Sequence, residues 1–358
     1  MNEKETIFEQ MELRGHERIC FHTDAKTGLR AIIAIHSTAL GNALGGTRRW
    51  CYASEADALY DVMRLSRGMT YKAAVSGLPM GGAKSVIMTP SRDSVRTEAE
   101  AKAMGRFVDS FNGTYIAAED VGVDTEFIDW MASETSHVMG GETVSMGGDP
   151  SPWTAMGAFH GMRACLEYAG LGNSFSDKTV AIQGVGHVGR NLCRILTEAG
   201  ATIKVADIKQ KNVDYVVQKY GCKQISDNEI LTTECDILAP CALGGVVNAS
   251  HINNLRCSII CGAANNILGD PVEDAVALKN ANIIYGPDFV VNAGGLIHLA
   301  GLHLGISAEI LQAKNDEIFE TTKEILACGE TAASTYAAAV KIAENRLQGV
   351  QETEVHAN

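Results

Sequence analysis

TVAIQGVGHVG, residues 179–189, sets an apolar run directly against three glycines spaced as GxGxxG. Thr179 to Gln183 read as a buried strand, and Val188, Leu192, Ile195, Leu196 and Ala199 recur at helical spacing until Gly200 stops them. The next apolar run, TIKVAD, ends on Asp207. Glycine-rich turns recur for structural reasons alone, so the spacing by itself says little. Between a strand and a helix, with an acid closing the second strand, it describes a dinucleotide site. Gly184 permits the tight turn, Gly186 lets the backbone approach a pyrophosphate, and Gly189 packs helix on strand, while the helix N-terminus supplies positive potential. Asp207 then accepts from ribose hydroxyls and repels a 2′-phosphate, which favours NAD over NADP, although Lys204, Lys209 and Lys211 lie close in sequence. His187, inside the turn, reads as a solvent-facing imidazole rather than a proton carrier.

Downstream, CDILAP, CSIICGAANN and NIIYGP are short apolar runs ending in small or polar residues. Parallel strands that deliver ligand-binding loops at their carboxyl ends look like this. Upstream, the glycines and prolines of GGDPSPWTAMGAF, residues 147–159, mark a hinge. Before the hinge, RICFH and RAIIAIH pair as strands around TDAKTG. Ser54 and Asp57 open a helix whose face, Leu59, Val62, Met63 and Ser66, ends before Met69. KSVIM is a strand, a helix follows from about Thr97 to Asn112, and TYIAAED is a strand ending in two carboxylates. The expected fold is α/β: a mixed α/β substrate domain over residues 1–147, with a C-terminal helix in 329–358 packing back on it, and a Rossmann dinucleotide-binding domain over 148–328.

The composition narrows the partners. A net charge of −13 disfavours nucleic acid, whose binding is dominated by cations on phosphates. The ten cysteines contain no CxxC pair, which suits buried thiols in a reducing compartment and predicts no metal site. MNEKETIFEQ lacks the basic start and apolar run of a targeting segment, and no stretch approaches the roughly 18 apolar residues of a membrane span. A cytoplasmic protein without membrane contact is expected.

GLPMGGAKS, residues 77–85, places Lys84 behind two glycines and an alanine, and GMTYK ends on Lys72. Gly81, Gly82 and Ala83 would clear the backbone for a ligand. A lysine in a desolvated cleft loses proton affinity, and a second cation nearby lowers it further. One of the two could hold a carboxylate while the other serves as a base near neutral pH. Asp120 is a candidate proton partner, with Glu119 and Asp124 as competitors.

At this point the chain resembles the glutamate, leucine, phenylalanine and valine dehydrogenase family, in its branch acting on apolar amino acids. The resemblance spans nearly the whole chain through AIIAIHSTALGNALGGTR, LSRGMTYKAA, GLPMGGAKSVI, AAEDVG, GDPSPWTAMG, QGVGHVG, APCALGG, CGAANN and YGPDFVVNAGG. It implies a cleft that closes over substrate and a homo-oligomer. It implies that Lys72 binds the substrate carboxylate, that Lys84 is the catalytic lysine, and that Asp120 shuttles a proton to and from the amino group. Asn265 and Asn292 would hold substrate and nicotinamide ribose, and Thr154 the carboxamide. Cys241, Ala242 and Ala263 would join Gly184, Val185, Gly186, His187, Val188 and Gly189 around NAD. Leu40, Gly41, Met69, Ala118, Leu296 and Leu299 would line the substrate site. An L-amino acid would yield a 2-oxo acid and ammonia. Leu40 offers no cation for a distal carboxylate, which argues against glutamate. Ala118 matches leucine and valine enzymes, whereas Ile297 to Leu299 matches phenylalanine enzymes, so leucine is the first choice and an aromatic amino acid the alternative. The chain departs from the family pattern at Asn42, His187 and Trp153, the last reading as a packing element at the hinge.

Two other readings compete. A dehydrogenase of hydroxy acids or folates calls for a histidine with a carboxylate partner, and none of the ten histidines has an evident one. A dinucleotide sensor or scaffold without catalysis has no use for both Lys72 and Lys84.

Overall fold

The computed structural model describes residues 6–142, 149–242 and 244–357, with side chains up to 349. Gly147 and Gly148, where the expected hinge begins, lie outside the described residues. The chain divides into two compact units, one of Met1–Gly148, Leu299–Gly305 and Glu344–Asn358, the other of Asp149–His298 and Ile306–Ala343.

The first unit opens with helix α1 (Ile7–Arg14), then strands β1 (Arg18–Asp24), β2 (Leu29–Ser37) and β3 (Ala43–Trp50). Helix α2 (Glu55–Val75), β4 (Gly81–Met88), α3 (Glu98–Asp109), β5 (Tyr115–Glu119) and α4 (Thr125–Ala132) follow. The sheet order is β1-β2-β4-β3-β5, antiparallel from β1 to β4 and parallel from β4 through β3 to β5. One face buries Ile33, Ile35, Ile87 and Tyr115 against α3 and α4, which contribute Met104, Phe107, Phe127 and Met131. Ile32, Ala34 and Val86 point to the other face, where Leu59, Val62 and Met63 of α2 meet them. The period of two along β2 thus feeds two cores.

Helix α2 overturns one expectation. Its N-cap is Ser54, whose side chain accepts from the Asp57 N–H, but it runs on through Met69 and Lys72 to Val75. Gly68 does not stop it, because buried Thr70, Ala73 and Ala74 anchor the last turns and tertiary packing outweighs one poor helix former. The C-terminal helix Thr335–Ala357 reaches the same end of α2: Tyr71 Oη donates to Glu344 Oε1 at 2.8 Å, and Arg346 Nη1 donates to the carbonyls of Ala74 and Val75 at 3.1 and 2.6 Å.

The second unit starts with α5 (Ser151–Tyr168), so most of the expected hinge is a helix. Pro152 sits in its first turn, where the missing N–H costs nothing. Next come β6 (Thr179–Gln183), α6 (His187–Glu198), β7 (Thr202–Ala206), α7 (Gln210–Tyr220), β8 (Lys223–Gln224), β9 (Ile237–Pro240), β10 (Ile259–Ile260) and β11 (Ile284–Tyr285). Every pairing is parallel, and the order β8-β7-β6-β9-β10-β11 is that of a doubly wound Rossmann sheet. The order reverses between β6 and β9, which places the glycine turn after β6 at the switch point.

Candidate active site

In the first unit the candidate side chains come from the middle of β4, the second half of β3 and the residue after β5. Lys84 lies in β4 and is 6% exposed; its Nζ is 2.9 Å from Oδ2 of Asp120, the residue after β5. Burial drives the Lys84 ammonium below its ordinary value and Asp120 opposes that, but a second cation, Arg48 of β3, lowers it further. Burial alone would raise the Asp120 carboxyl, yet Lys84 and Arg48 together hold it at about 2. Arg48 is a cation beside Lys84, and the sequence reading missed it. Its signal was present in GGTRR: alternate residues of a strand face opposite ways, so only one arginine can point at the carboxylate.

Asp120, rather than its competitors, meets Lys84. Glu119 accepts from the Gly141 N–H, and Asp124 caps α4 and pairs with Arg96. Gly46 makes the meeting possible: a Cβ there would lie 2.5 Å from the Glu119 carbonyl oxygen, 2.9 Å from Asp120 Cβ and 3.2 Å from Lys84 Nζ. The glycines ahead of Lys84 serve the protein's own backbone instead of a ligand. A Cβ on Gly82 would come 2.1 Å from Thr70 N, and one on Gly81 2.2 Å from the Ser37 carbonyl oxygen. They let α2 close on β4, and α2 carries Met69 and Lys72, both half-buried, in its last two turns. Ala118 is buried in β5, while Leu40 and Gly41 lie half-buried in the turn before β3. A cavity of about 570 Å³ beside Arg49, Arg92, Arg96, Trp50 and Trp130 is not this site: Arg49 and Arg96 are already paired with Glu100 and Asp124.

In the second unit Gly184 has φ +92, in the left-handed region, and a Cβ there would strike Ala242 after β9 at 2.6 Å. A Cβ on Gly189 would lie 2.1 Å from the Gly184 carbonyl oxygen, whereas one on Gly186 would meet nothing within 4 Å. The turn is therefore tight on the protein side and open on the other. Val185 is buried, Val188 half-buried, and the His187 side chain 84% exposed. No side chain caps α6, whose first N–H groups remain available to an anion. Asp207 Oδ2 accepts from Val185 N at 2.9 Å and Asn212 Nδ2 at 3.2 Å, and Oδ1 accepts from Lys209 N at 2.8 Å, so the half-buried acid braces the glycine turn.

Asn292 is buried; its Nδ2 donates to Asn265 Oδ1 at 2.8 Å and to the carbonyls of Ala263 and Ala264 at 3.3 Å. Its Oδ1 has no partner, an orphan acceptor that costs free energy until a donor arrives. With the open face at Gly186 and the uncapped α6, this acceptor fits a hydroxyl-bearing dinucleotide. Thr154 of α5 donates to the Pro150 carbonyl at 3.2 Å, and Gly295 leaves room for its Oγ1. Cys241 is half-buried and Ala242 exposed. Leu296 is buried and Leu299 half-buried in the helix Gly294–His303, where His298 stacks on Trp153 with ring centroids 4.8 Å apart.

Two histidines do have a carboxylate near them: exposed His187 has its Nδ1 3.9 Å from Asp149 Oδ2, and buried His160 has its Nε2 3.1 Å from Asp316 Oδ1. The sequence did not show the pair of His160 with Asp316, since 156 positions separate the two residues. His160 is buried in α5, and burial lowers its proton affinity. Among the described residues no group of three or more His, Cys, Asp or Glu could hold a metal ion, the cysteines are free, and no helix is long and apolar enough to cross a membrane.

The chain is similar to known proteins over nearly its whole length. The family model for the Glu/Leu/Phe/Val dehydrogenase dimerisation domain matches residues 16–137, and that for Glutamate/Leucine/Phenylalanine/Valine dehydrogenase matches 149–209 and 203–356. The leucine dehydrogenase of Geobacillus stearothermophilus is 42% identical over 97% of this chain and 94% of its own. The valine dehydrogenase of Streptomyces virginiae is 42% identical over 93% and 94%. The crystal structure of L-tryptophan dehydrogenase from Nostoc punctiforme superposes with a TM-score of 0.84 at 37% identity, covering 97% of this chain and all of that one.

Proposed function

The chain belongs to the Glu/Leu/Phe/Val dehydrogenase family, and from that premise we propose that this amino-acid dehydrogenase oxidises L-leucine and related branched-chain amino acids with NAD, reversibly, to the 2-oxo acid and ammonia. The observation that carries the chemistry is the buried contact of Lys84 Nζ with Asp120 Oδ2 at 2.9 Å. A buried ion pair adds little net stability over apolar packing, so its presence here points to work done on a substrate.

Lys72 pairs with the substrate carboxylate and fixes the α-carbon. Lys84, lowered by burial, is the base that stores the proton; Asp120, held near 2, is too acidic to keep one and relays it between the amino group and the lysine. The nicotinamide supplies, when bound, the acceptor for the hydride leaving the α-carbon. Lys84 passes the proton taken from the amino group on to solvent and, neutral again, draws one from the water that attacks the resulting imine; returned through Asp120 to the nitrogen, that proton lets the adduct collapse to the 2-oxo acid and ammonia. The turn Gly184–Gly189, the N-terminus of α6, Thr154, Cys241, Ala242, Ala263, Asn265 and Asn292 would hold the dinucleotide. Asp207 supports NAD over NADP, because a 2′-phosphate would meet its charge. Leu40, Met69 and Ala118 of the first unit and Leu296 and Leu299 of the helix Gly294–His303 offer aliphatic surface, which suits a branched side chain and leaves a glutamate carboxylate unpaired. The family's dimerisation domain over residues 16–137 supports a homo-oligomer.

The test is absorbance of the reduced nicotinamide with NAD or NADP and a panel of L-amino acids. Turnover should be highest with leucine, valine or isoleucine and NAD. Equal or better rates with tryptophan, phenylalanine or glutamate would overturn the substrate assignment.

A further inference from the structure

Arg48 has no role so far beyond its charge. Its guanidinium spans two carboxylates: Nε donates to Asp120 Oδ2 at 2.8 Å and Nη1 donates to Asp61 Oδ2 at 2.9 Å. Asp61, in α2, also accepts from Tyr52 Oη at 2.8 Å and, through Oδ1, from Arg64 Nη2 at 3.0 Å. Lys84 Nζ reaches the same Asp120 Oδ2 at 2.9 Å. Two cations thus converge on one carboxylate oxygen. Arg48 and Asp61 are only 18% and 15% exposed, so this arrangement is not a loose surface pair. A guanidinium keeps its proton at any working pH, whereas Lys84 exchanges its own.

We propose that Arg48, braced by Asp61, is a positioning residue: it commits Asp120 Oδ2 to the cations, presents Oδ1 to the substrate amino group, and sets the pH range over which Lys84 and Asp120 exchange a proton. The inference rests on the assignment of Lys84 and Asp120 to the chemistry. The groups that face the pair are Arg48 of β3, Asp61 of α2, and the phenols of Tyr52 and of Tyr115 in β5. Burial raises both phenols, which stay neutral. The two charged neighbours act on Lys84 with opposite sign: Arg48 lowers its proton affinity and Asp61 raises it.

Opposite signs make the proposal testable on the full-length enzyme. In Arg48→Met the ascending limb of the kcat/KM profile for L-leucine should move to higher pH by about one unit, with kcat falling more than KM rises. In Asp61→Asn the same limb should move to lower pH. Arg48→Lys keeps the charge without the fork that bridges both carboxylates, so it should hold the limb near its original pH while losing rate. A second readout needs no turnover: the rate at which cyanate carbamoylates Lys84 against pH, followed by peptide mass spectrometry, should shift the same way in each variant. If Arg48→Met does not fold, Arg48→Lys and Asp61→Asn decide. Unshifted profiles, or shifts of Arg48→Met and Asp61→Asn in one direction, would reduce Arg48 to a structural brace and overturn the proposal. A wild-type enzyme that ignores leucine while Lys84 carbamoylation shifts as stated would overturn the substrate assignment and leave Arg48 in place.

Discussion

Gly46 is the residue on which the acid–base pair depends most directly. Its missing side chain is the space in which Asp120 and Lys84 meet, and the Glu119 carbonyl 2.5 Å from a virtual Cβ belongs to backbone that cannot swing aside. Gly46→Ala should therefore displace Asp120 against Lys84 and lower kcat/KM on the order of a hundredfold, the scale of a misplacement near 1 Å. Dinucleotide binding, followed by fluorescence titration, should be unchanged because that turn belongs to the other unit. Wild-type kinetics in this variant would show that the backbone yields. The glycines before Lys84 were visible in the sequence as a place where side chains are unwelcome, but not for whom the space is cleared. Thr70, whose N would meet a Cβ on Gly82, lies 12 positions away on an element whose packing periodicity cannot report.

Among the elements, α2 integrates the first unit. His16 Nε2 contacts Met63 O and Ser66 Oγ at 3.0 Å, His36 bonds Thr70 Oγ1 at 2.9 Å, and the two imidazoles meet edge to face with centroids 4.9 Å apart. Burial lowers His16 to about 4 and His36 to about 3. Below pH 6.5 the unfolded chain takes up protons that the folded imidazoles refuse, so stability falls as pH drops from 6.5 toward those values, by up to about 1.4 kcal/mol per unit for each ring. The Asp120 contribution has a lower window: it is present above the unfolded value of 3.8 and is lost as pH falls toward about 2. Urea midpoints measured between pH 6.5 and 5 should decline, and a double His16→Gln, His36→Gln variant should flatten that decline; an unchanged slope would assign it elsewhere. The start of α2 was legible because Ser54 and Asp57 form a local cap. Its end was not, because Gly68 is a poor helix former and the contacts that continue the helix past it are tertiary. Arg48, Asp61 and Asp120 were illegible as a group for the same reason: they join across 13 and 72 positions.

At the scale of the whole chain, the doubly wound sheet was readable because each β-α-β step is local, and the mixed sheet was not because β4 inserts between β2 and β3. The C-terminal helix closes the chain on α2, where Arg346 satisfies carbonyls that the helix end leaves open. Arg346→Ala should cost about 1.5–3 kcal/mol, the range for hydrogen bonds to a charged donor. Because those carbonyls follow Lys72 by two and three residues, the KM for leucine should rise while the affinity for NAD holds; calorimetry and steady-state kinetics on one sample would check both, and a KM that stays put would separate the helix end from the substrate site. The unbroken course of α2 carries a further consequence under the proposed assignment. Met69 and Lys72, three residues apart on one helix, travel as a rigid unit, so the wall of the substrate site cannot be reshaped there without dislodging the anchor for the carboxylate. Diversification of substrate preference is channelled instead to the turn holding Leu40 and Gly41 and to Leu296 and Leu299, and mutant libraries that seek new amino acids will find their viable solutions at those positions.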